Sequence, residues 1–237
     1  AADDYEGSLG FSLMILGFPH PGNNPFRWFL QIARSFVRAY AVRVRYPDVL
    51  IFEYGVRRPG DMDALLHVAV PNIAVFTSAD NVSFNTPLLE DDAEILQEYG
   101  IFAKAVPPDG YLILNHDDDT VLEMKNDARA HVMTYGSEAH ADMRIDEYRI
   151  RISNDESGYD APEGIGFTLT YGGTALQCRI NGALGMHHAY AGATGVAVGL
   201  AANLNFTDAC EAVNDYTPPP GRMQILPGIK HSVILDN

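Results

Sequence analysis

The sequence predicts an α/β fold: a three-layer, mostly parallel sheet flanked by helices, with a small antiparallel β insertion. Three observations predict it. Short apolar runs alternate with amphipathic stretches through the first 136 residues, which calls for right-handed crossovers between parallel strands. From about residue 143 to 182 the runs shorten and turn residues separate them, with Gly172-Gly173 as a hairpin signal. The chain has 237 residues, 47% of them hydrophobic, enough to bury one sizeable core or a core plus a small subdomain.

Taken in order, residues 9–18 form an apolar run that Pro19 stops, and residues 20–25 are a loop by composition. From Pro25 an amphipathic helix is expected. Phe29, Ile32, Ala33, Phe36, Val37 and Tyr40 recur at helical spacing, with Arg34 and Arg38 on the other side. Residues 49–52 read as a buried strand ending at Glu53. Residues 61–70 read as a helix closed by Pro71, and 73–76 as a strand. Residues 89–106 read as a helix with Asp91, Asp92 and Glu94 in its first turn, where the helix dipole favours negative charge. A strand at 111–114 runs into Asn115, followed by a short helix at 120–125 and a strand at 131–135. The antiparallel insertion is expected to use 148–153, 166–171 and 175–180. Residues 188–202 are rich in Ala and Gly, as in a tightly packed helix. Thr207 is the expected cap of the next helix, with Asp208 and Glu211 in its first turn. Pro218 to Pro220 end that helix, and 232–235 form a last strand.

Charge and cysteine content narrow the function. Asp and Glu number 31 against 16 Lys and Arg, a net charge of −15. So acidic a surface repels phosphate backbones, which argues against a nucleic-acid partner. Cys178 and Cys210, the only cysteines, make neither a disulfide framework nor a zinc motif and suit a reducing cytoplasm as small buried residues. No run is long and apolar enough to cross a bilayer, and the polar, acidic residues 1–8 are no secretory signal. A start without Met reads as a fragment boundary.

Polar residues cluster after the expected strands. In open α/β sheets ligands bind at the carboxyl ends of parallel strands. Glu53 follows 49–52, Thr77 and Ser78 follow 73–76, Asn115, Asp117 and Asp118 follow 111–114, and Asp236 follows 232–235. A carboxylate on such a rim can hold Mg2+, which keeps waters and phosphate oxygens in its shell. The competing reading is that these residues only end strands and start loops.

Five motifs then occur in order. Glu53-Tyr54-Gly55-Val56-Arg57-Arg58-Pro59-Gly60-Asp61-Met62 resembles the Mur ligase segment built on Glu-x-Gly followed by Arg-Pro-Gly-Asp-Ile. Asn115-His116-Asp117-Asp118 resembles that family's Asn-Ala-Asp-Asp turn. Thr134-Tyr135-Gly136 with Ala141-Asp142, Gly185-Met186-His187-His188-Ala189-Tyr190-Ala191, and Pro220-Gly221-Arg222-Met223 are similar to its remaining signatures. The similarity runs from about Ser8 to Asn237, and the nearest branch is the one that adds D-alanyl-D-alanine to a UDP-linked muramoyl peptide. The resemblance implies residues 1–237 to be a central nucleotide-binding domain, with 143–182 as an antiparallel subdomain. It also implies ATP, Mg2+ and a UDP-muramoyl peptide as cofactors and partners, in the cytoplasm. The family makes an amide bond by forming an acyl phosphate that an incoming amine displaces, chemistry that needs positioning and charge neutralisation. By resemblance Glu53 binds Mg2+, Asn115 and the His187-His188 pair lie near adenine, Arg222 approaches the phosphates, and Asp236 approaches the ribose or the next loop.

The departures bear on activity. No Gly-x-x-x-x-Gly-Lys-Ser/Thr phosphate loop occurs in the chain. The family's metal-binding lysine position holds Tyr99 and its histidine position Asn85; the acidic residue of its early Asn-x-Glu-Ile-Gly segment is lost at Glu6-Gly7-Ser8-Leu9-Gly10. The third domain of the family is not included. The chain alone is therefore expected to be inactive, and two readings stay open: part of a ligase, or a degenerate, non-catalytic homologue serving as a binding or scaffold domain. Residues 26–45 add a separate expectation. Phe26, Arg27, Trp28, Phe29, Arg34, Phe36, Arg38, Arg43 and Arg45 fit either a peripheral contact with an anionic membrane or a helix packed on the sheet with its arginines in water.

Overall fold

The computed structural model describes residues 8–18, 22, 24–40, 47–56, 58–79, 92–154, 160–229 and 232–237. The chain divides into two compact units, Ala1–Pro71 with Asn81–Ala105, and Asn72–Asp80 with Val106–Asn237.

The first unit holds four helices among its described residues: α1 (Ser8–Ile15), α2 (Pro25–Tyr40), α3 (Asp61–Leu66) and α4 (Asp92–Ala105). An aromatic cluster ties it together. Phe11 stacks on Phe52 at 5.0 Å, meets Tyr54 edge-on at 4.9 Å, and Tyr54 lies 4.6 Å from Phe102. The Arg-Pro-Gly-Asp motif turns into α3 through Gly60, at φ 87°, which cannot cap the helix with a side chain of its own. Buried Glu98 on α4 substitutes: its carboxylate accepts from the Gly60 N–H at 2.7 Å and the Met62 N–H at 2.9 Å. A carboxylate here satisfies two orphan donors at the positive end of the helix.

Residues 49–52 do not form the expected strand. Val49, Leu50 and Ile51 are exposed, Ile51 at 89%, while Phe52 is half-buried against Phe11, and no strand pairs with them among the described residues. Four apolar residues announce an extended segment, but not a neighbour to complete its hydrogen bonds.

The second unit contains a six-stranded sheet in the order β1 (Ile73–Phe76), β2 (Tyr111–Asn115), β3 (His131–Gly136), β4 (Met143–Asn154), β5 (Asp160–Tyr171), β6 (Thr174–Asn181). The first three pairings are parallel and the last two antiparallel, the mixed α/β architecture that the sequence predicts. The antiparallel strands continue the parallel ones edge to edge, and β4 belongs to both regions. Gly172 and Gly173, at φ 55° and 81°, make the two-residue turn between β5 and β6, the conformation that matches strand twist.

The short helix α5 (Asp119–Glu123) follows β2; α6 (Met186–Ala201) and α7 (Phe206–Asn214) follow the sheet. Ile165, Phe167 and Leu169 of β5 are fully buried in one cluster with Ala189, Ala193 and Val196 of α6 and Cys210 and Val213 of α7. The small residues of α6 let the helix sit close: a Cβ on Gly192 would lie 3.0 Å from the Phe167 ring and 3.2 Å from Val213. Both cysteines are buried and unlinked, as expected. The cap of α7 is Asn205, whose side chain accepts from the Asp208 N–H at 2.9 Å, and not Thr207. A separate antiparallel ribbon pairs β7 (Gln224–Pro227) with β8 (Val233–Asp236). Asp236 therefore ends a ribbon strand and not a strand of the main sheet. Among the described residues no helix is long and apolar enough to cross a membrane.

Candidate functional site

Three parallel strands place their carboxyl ends on one edge of the second unit, so the loops after Phe76, Asn115 and Gly136 are neighbours. The Asn115–Asp118 turn is the hub. The Asn115 Nδ2 donates to the Thr77 carbonyl at 2.8 Å, and its Oδ1 accepts from the Asp117 N–H at 3.1 Å. Asp118 caps α5 by accepting from the Val121 N–H at 3.0 Å; its other oxygen accepts from the Ala79 N–H at 2.8 Å and Ser78 Oγ at 3.2 Å. Asn115 and Asp118 thus hold the loop after β1.

Asp117 reaches the opposite way. Its Oδ2 accepts from the Ser137 N–H at 2.6 Å, from Ser137 Oγ at 2.9 Å and from the Tyr190 hydroxyl, and its Oδ1 accepts from the Glu138 N–H at 3.0 Å. Burial alone raises its pKa, but these donors together hold the carboxyl below the ordinary aspartate value. Through Tyr190, Asp117 fastens the start of α6 to the rim. Gly136 makes this possible: a Cβ there would lie 2.8 Å from Asp117 Cγ and 3.0 Å from its Oδ2. The loop after β3 is closed by Asp142, whose Oδ2 accepts from the Thr134 N–H and Oγ1, both at 2.8 Å.

The first turn of α6 carries the histidine pair, with ring centroids 4.2 Å apart. His188 is buried, and its Nε2 hydrogen-bonds the Arg222 carbonyl at 2.8 Å. His187 is exposed. Burial, then His188, then the Arg222 guanidinium push the His187 pKa below its usual value. The 182–184 turn is hydrogen-bonded to the segment after Arg222: Leu184 N–H donates to the Met223 carbonyl at 3.0 Å, and Ile225 N–H to the Gly182 carbonyl at 2.8 Å. Asp236 accepts from the Gly221 N–H at 3.0 Å and closes the turn that presents Arg222. Among the described residues, the Arg222 guanidinium has no carboxylate partner. Removing it is expected to raise the His187 pKa, so Arg222→Ala should shift the His187 ring resonance titration upward by NMR. An unchanged midpoint would mean the two side chains do not share a field.

Of the sequence-selected residues, His187, His188, Arg222 and Asp236 form one connected group, and the Asp117–Tyr190 bond ties that group's helix to the Asn115 turn. His188 and Asp236 are engaged in holding the backbone. Asn115 keeps one Nδ2 hydrogen and one carbonyl lone pair beyond its two intramolecular bonds. Glu53 is exposed and Tyr99 half-buried, both in the first unit; Asn85, Arg57 and the Arg38 side chain lie outside the described residues. The anchoring role of Gly136 and the reach of Asp117 to Ser137 and Glu138 escaped the sequence reading, because each joins residues about 20 positions apart.

Two donor sets bear on a metal. Glu53 stands in no group of three convergent ligands among the described residues, whereas His116, Asp117 and Glu138 offer atoms within 4.8 Å of one another. Four donors already occupy Asp117. The His116 Nδ1 is buried without a hydrogen bond, 3.7 Å from Glu138 Oε2. Neither set is a preformed oxygen cage for Mg2+.

Comparison with known proteins agrees with this architecture. The Mur ligase middle domain family matches residues 37–198. The UDP-N-acetylmuramoyl-L-alanyl-D-glutamate–2,6-diaminopimelate ligase of Chlamydia pneumoniae is 29% identical over 120 residues, which is 50% of this chain and 22% of that protein. The MurF ligase of Thermotoga maritima, solved in complex with ADP, has 16% identity and a TM-score of 0.63, over 99% of this chain and 51% of that one. The UDP-N-acetylmuramoylalanyl-D-glutamyl-2,6-diaminopimelate–D-alanyl-D-alanyl ligase of Acinetobacter baumannii has 18% identity and a TM-score of 0.61, over 77% and 37%. A pseudomurein peptide ligase type C of Methanothermus fervidus has 18% identity and a TM-score of 0.55, over 92% and 48%. The chain thus spans about half the length, or less, of these relatives, and at such identities the solved structures speak for the fold. With more than half of its length matched, the chain belongs to the Mur ligase middle domain family.

Proposed function

We propose that this chain is the nucleotide-binding middle of an ATP-dependent, ADP-forming amide ligase that extends a UDP-muramoyl peptide in the cytoplasm, nearest to the branch that adds a dipeptide. One observation carries the reading: an exposed imidazole and a guanidinium that has no carboxylate partner among the described residues share a backbone-braced corner, and the helix bearing the imidazole is fastened to the Asn115 turn. In this reading the spare donor and acceptor of Asn115 and the His187 ring take the base, and Arg222 takes phosphate charge. The low His187 pKa keeps that ring neutral, suited to stack on a base. Asp117, Tyr190, His188 and Asp236 are positioning residues. When bound, Mg2+ would neutralise phosphate charge, with Glu53 its one carboxylate by motif. Among the described residues no group of three convergent ligands includes Glu53.

Calorimetric titration with ATP and ADP, with and without Mg2+, tests the proposal. A charge-assisted hydrogen bond to phosphate contributes about 1.5–3 kcal/mol, so Arg222→Ala is expected to weaken binding by about 10- to 100-fold. Asn115→Ala is expected to reduce affinity for ATP and adenosine alike, and Arg222→Ala for ATP only. Asn85 and Tyr99 at the family's metal-ligand positions favour a second reading, a non-catalytic binding or scaffold domain. Absence of nucleotide binding by the intact ligase-length polypeptide would decide for it.

A further inference from the structure

Helix α2 presents its apolar face outward. At 3.6 residues per turn, Phe26, Phe29, Ile32, Ala33 and Val37 fall on one arc, and Arg27, Gln31, Arg34 and Ser35 on the other. A surface helix ordinarily buries the first arc. Here Phe26 is 67% exposed, Phe29 69%, Ile32 55% and Val37 55%, whereas Gln31, on the polar arc, is buried. The expectation of a helix packed by its apolar side is therefore reversed. Side chains of this size on one face form a contiguous hydrophobic patch of the kind that marks an interaction surface.

Charge identifies the occupant. Residues 8–47 contain Arg27, Arg34, Arg38, Arg43 and Arg45 and no acidic residue, in a chain whose net charge is −15. A second copy docking through this face would bring two basic segments together, and a basic protein partner would meet the same repulsion. An anionic bilayer surface complements the segment: aromatic side chains enter the headgroup boundary while arginines on the opposite arc reach phosphate oxygens along their aliphatic stems. The helix is too short to span a bilayer. We propose that α2 is an in-plane anchor that docks this protein on anionic lipid.

The chain's single tryptophan, Trp28, sits on this helix and provides a local probe. The full chain is mixed with phosphatidylcholine vesicles, with or without phosphatidylglycerol, at low and high salt, and followed by sedimentation and Trp28 emission. Expected are pelleting and a blue shift with the anionic vesicles only, both weakened by salt. Phe29→Glu with Ile32→Glu should abolish binding, and Arg27→Gln with Arg34→Gln should weaken it by about fivefold per arginine. All four side chains are exposed, so unchanged circular dichroism should accompany both variants. No pelleting with anionic vesicles overturns the proposal. So does equal pelleting with neutral vesicles, or a dimeric mass in equilibrium sedimentation that Phe29→Glu removes, which would assign the face to a second copy.

Discussion

Gly136→Ala is expected to destabilise the second unit by about 2–3 kcal/mol at neutral pH, because the added methyl takes the space of the Asp117 carboxylate. Cβ would stand 2.8 Å from Asp117 Cγ, nearer than side-chain carbons approach one another. Asp117 cannot retreat without loss: its oxygens hold Ser137, Glu138 and Tyr190. Displacing it frees the loop after β3 and the start of α6 together. The pH dependence separates this cause from simple crowding. The Asp117 pKa is depressed in the folded protein, so its stabilisation is complete above the unfolded value of about 3.9. That stabilisation is lost as pH falls through the lower folded value. The difference in urea midpoint between wild type and Gly136→Ala should therefore be widest at neutral pH and narrow on acidification. A difference that stays constant to the lowest pH would mean that the methyl acts on packing alone, and that the carboxylate is not the hub of the rim.

Strands β1, β2 and β3 were legible because each is a short, largely apolar run between turn residues, and β2, with parallel neighbours on both sides, is the one whose apolar run is buried throughout its middle. Residues 49–52 carry the same signal and form no strand, since a strand also needs a neighbour and no local pattern encodes one. The capping residue of α7 failed for a related reason. Asn205 and Thr207 both offer a capping oxygen, and only the register of the first helical hydrogen bond chooses between them. For α2 the sequence showed that two faces exist but not which one turns outward, because periodicity is blind to direction.

The candidate site divides along the same line. Motif residues were readable as types at spacings, but their duties were not. The Asn115-His116-Asp117-Asp118 turn looks like a ligand-facing rim, yet most of its polar atoms brace neighbouring loops. The reading in which those residues end strands and start loops thus describes most of their contacts, and by making them they fix the loops beside the corner where His187 and Arg222 stand. Asp236 ends a strand as expected, but in a ribbon that supports the Arg222 turn. A sheet edge gathers residues from distant parts of the chain, and no sequence window spans that gathering.

The corner is only as firm as the core beneath it, and Phe167→Ala is expected to show this with a loss of about 3–5 kcal/mol. Phe167 is fully buried in β5, and its ring lies under α6 where Gly192 leaves room for it. Truncation opens a void that the glycine and alanines of α6 are too small to fill. The converse change, Gly192→Ala, puts a methyl 3.0 Å from that ring and should cost about 1–3 kcal/mol through overpacking. Because the two sites share one space, the double variant should be more stable than the sum of the single losses implies. Strict additivity in urea melts would place the residues in separate packing environments and refute the account. His187 and Tyr190 sit on the first turns of α6. A shifted α6 would therefore slacken the Tyr190–Asp117 bond and change the His187 titration, making the histidine's pKa a readout of packing at Phe167.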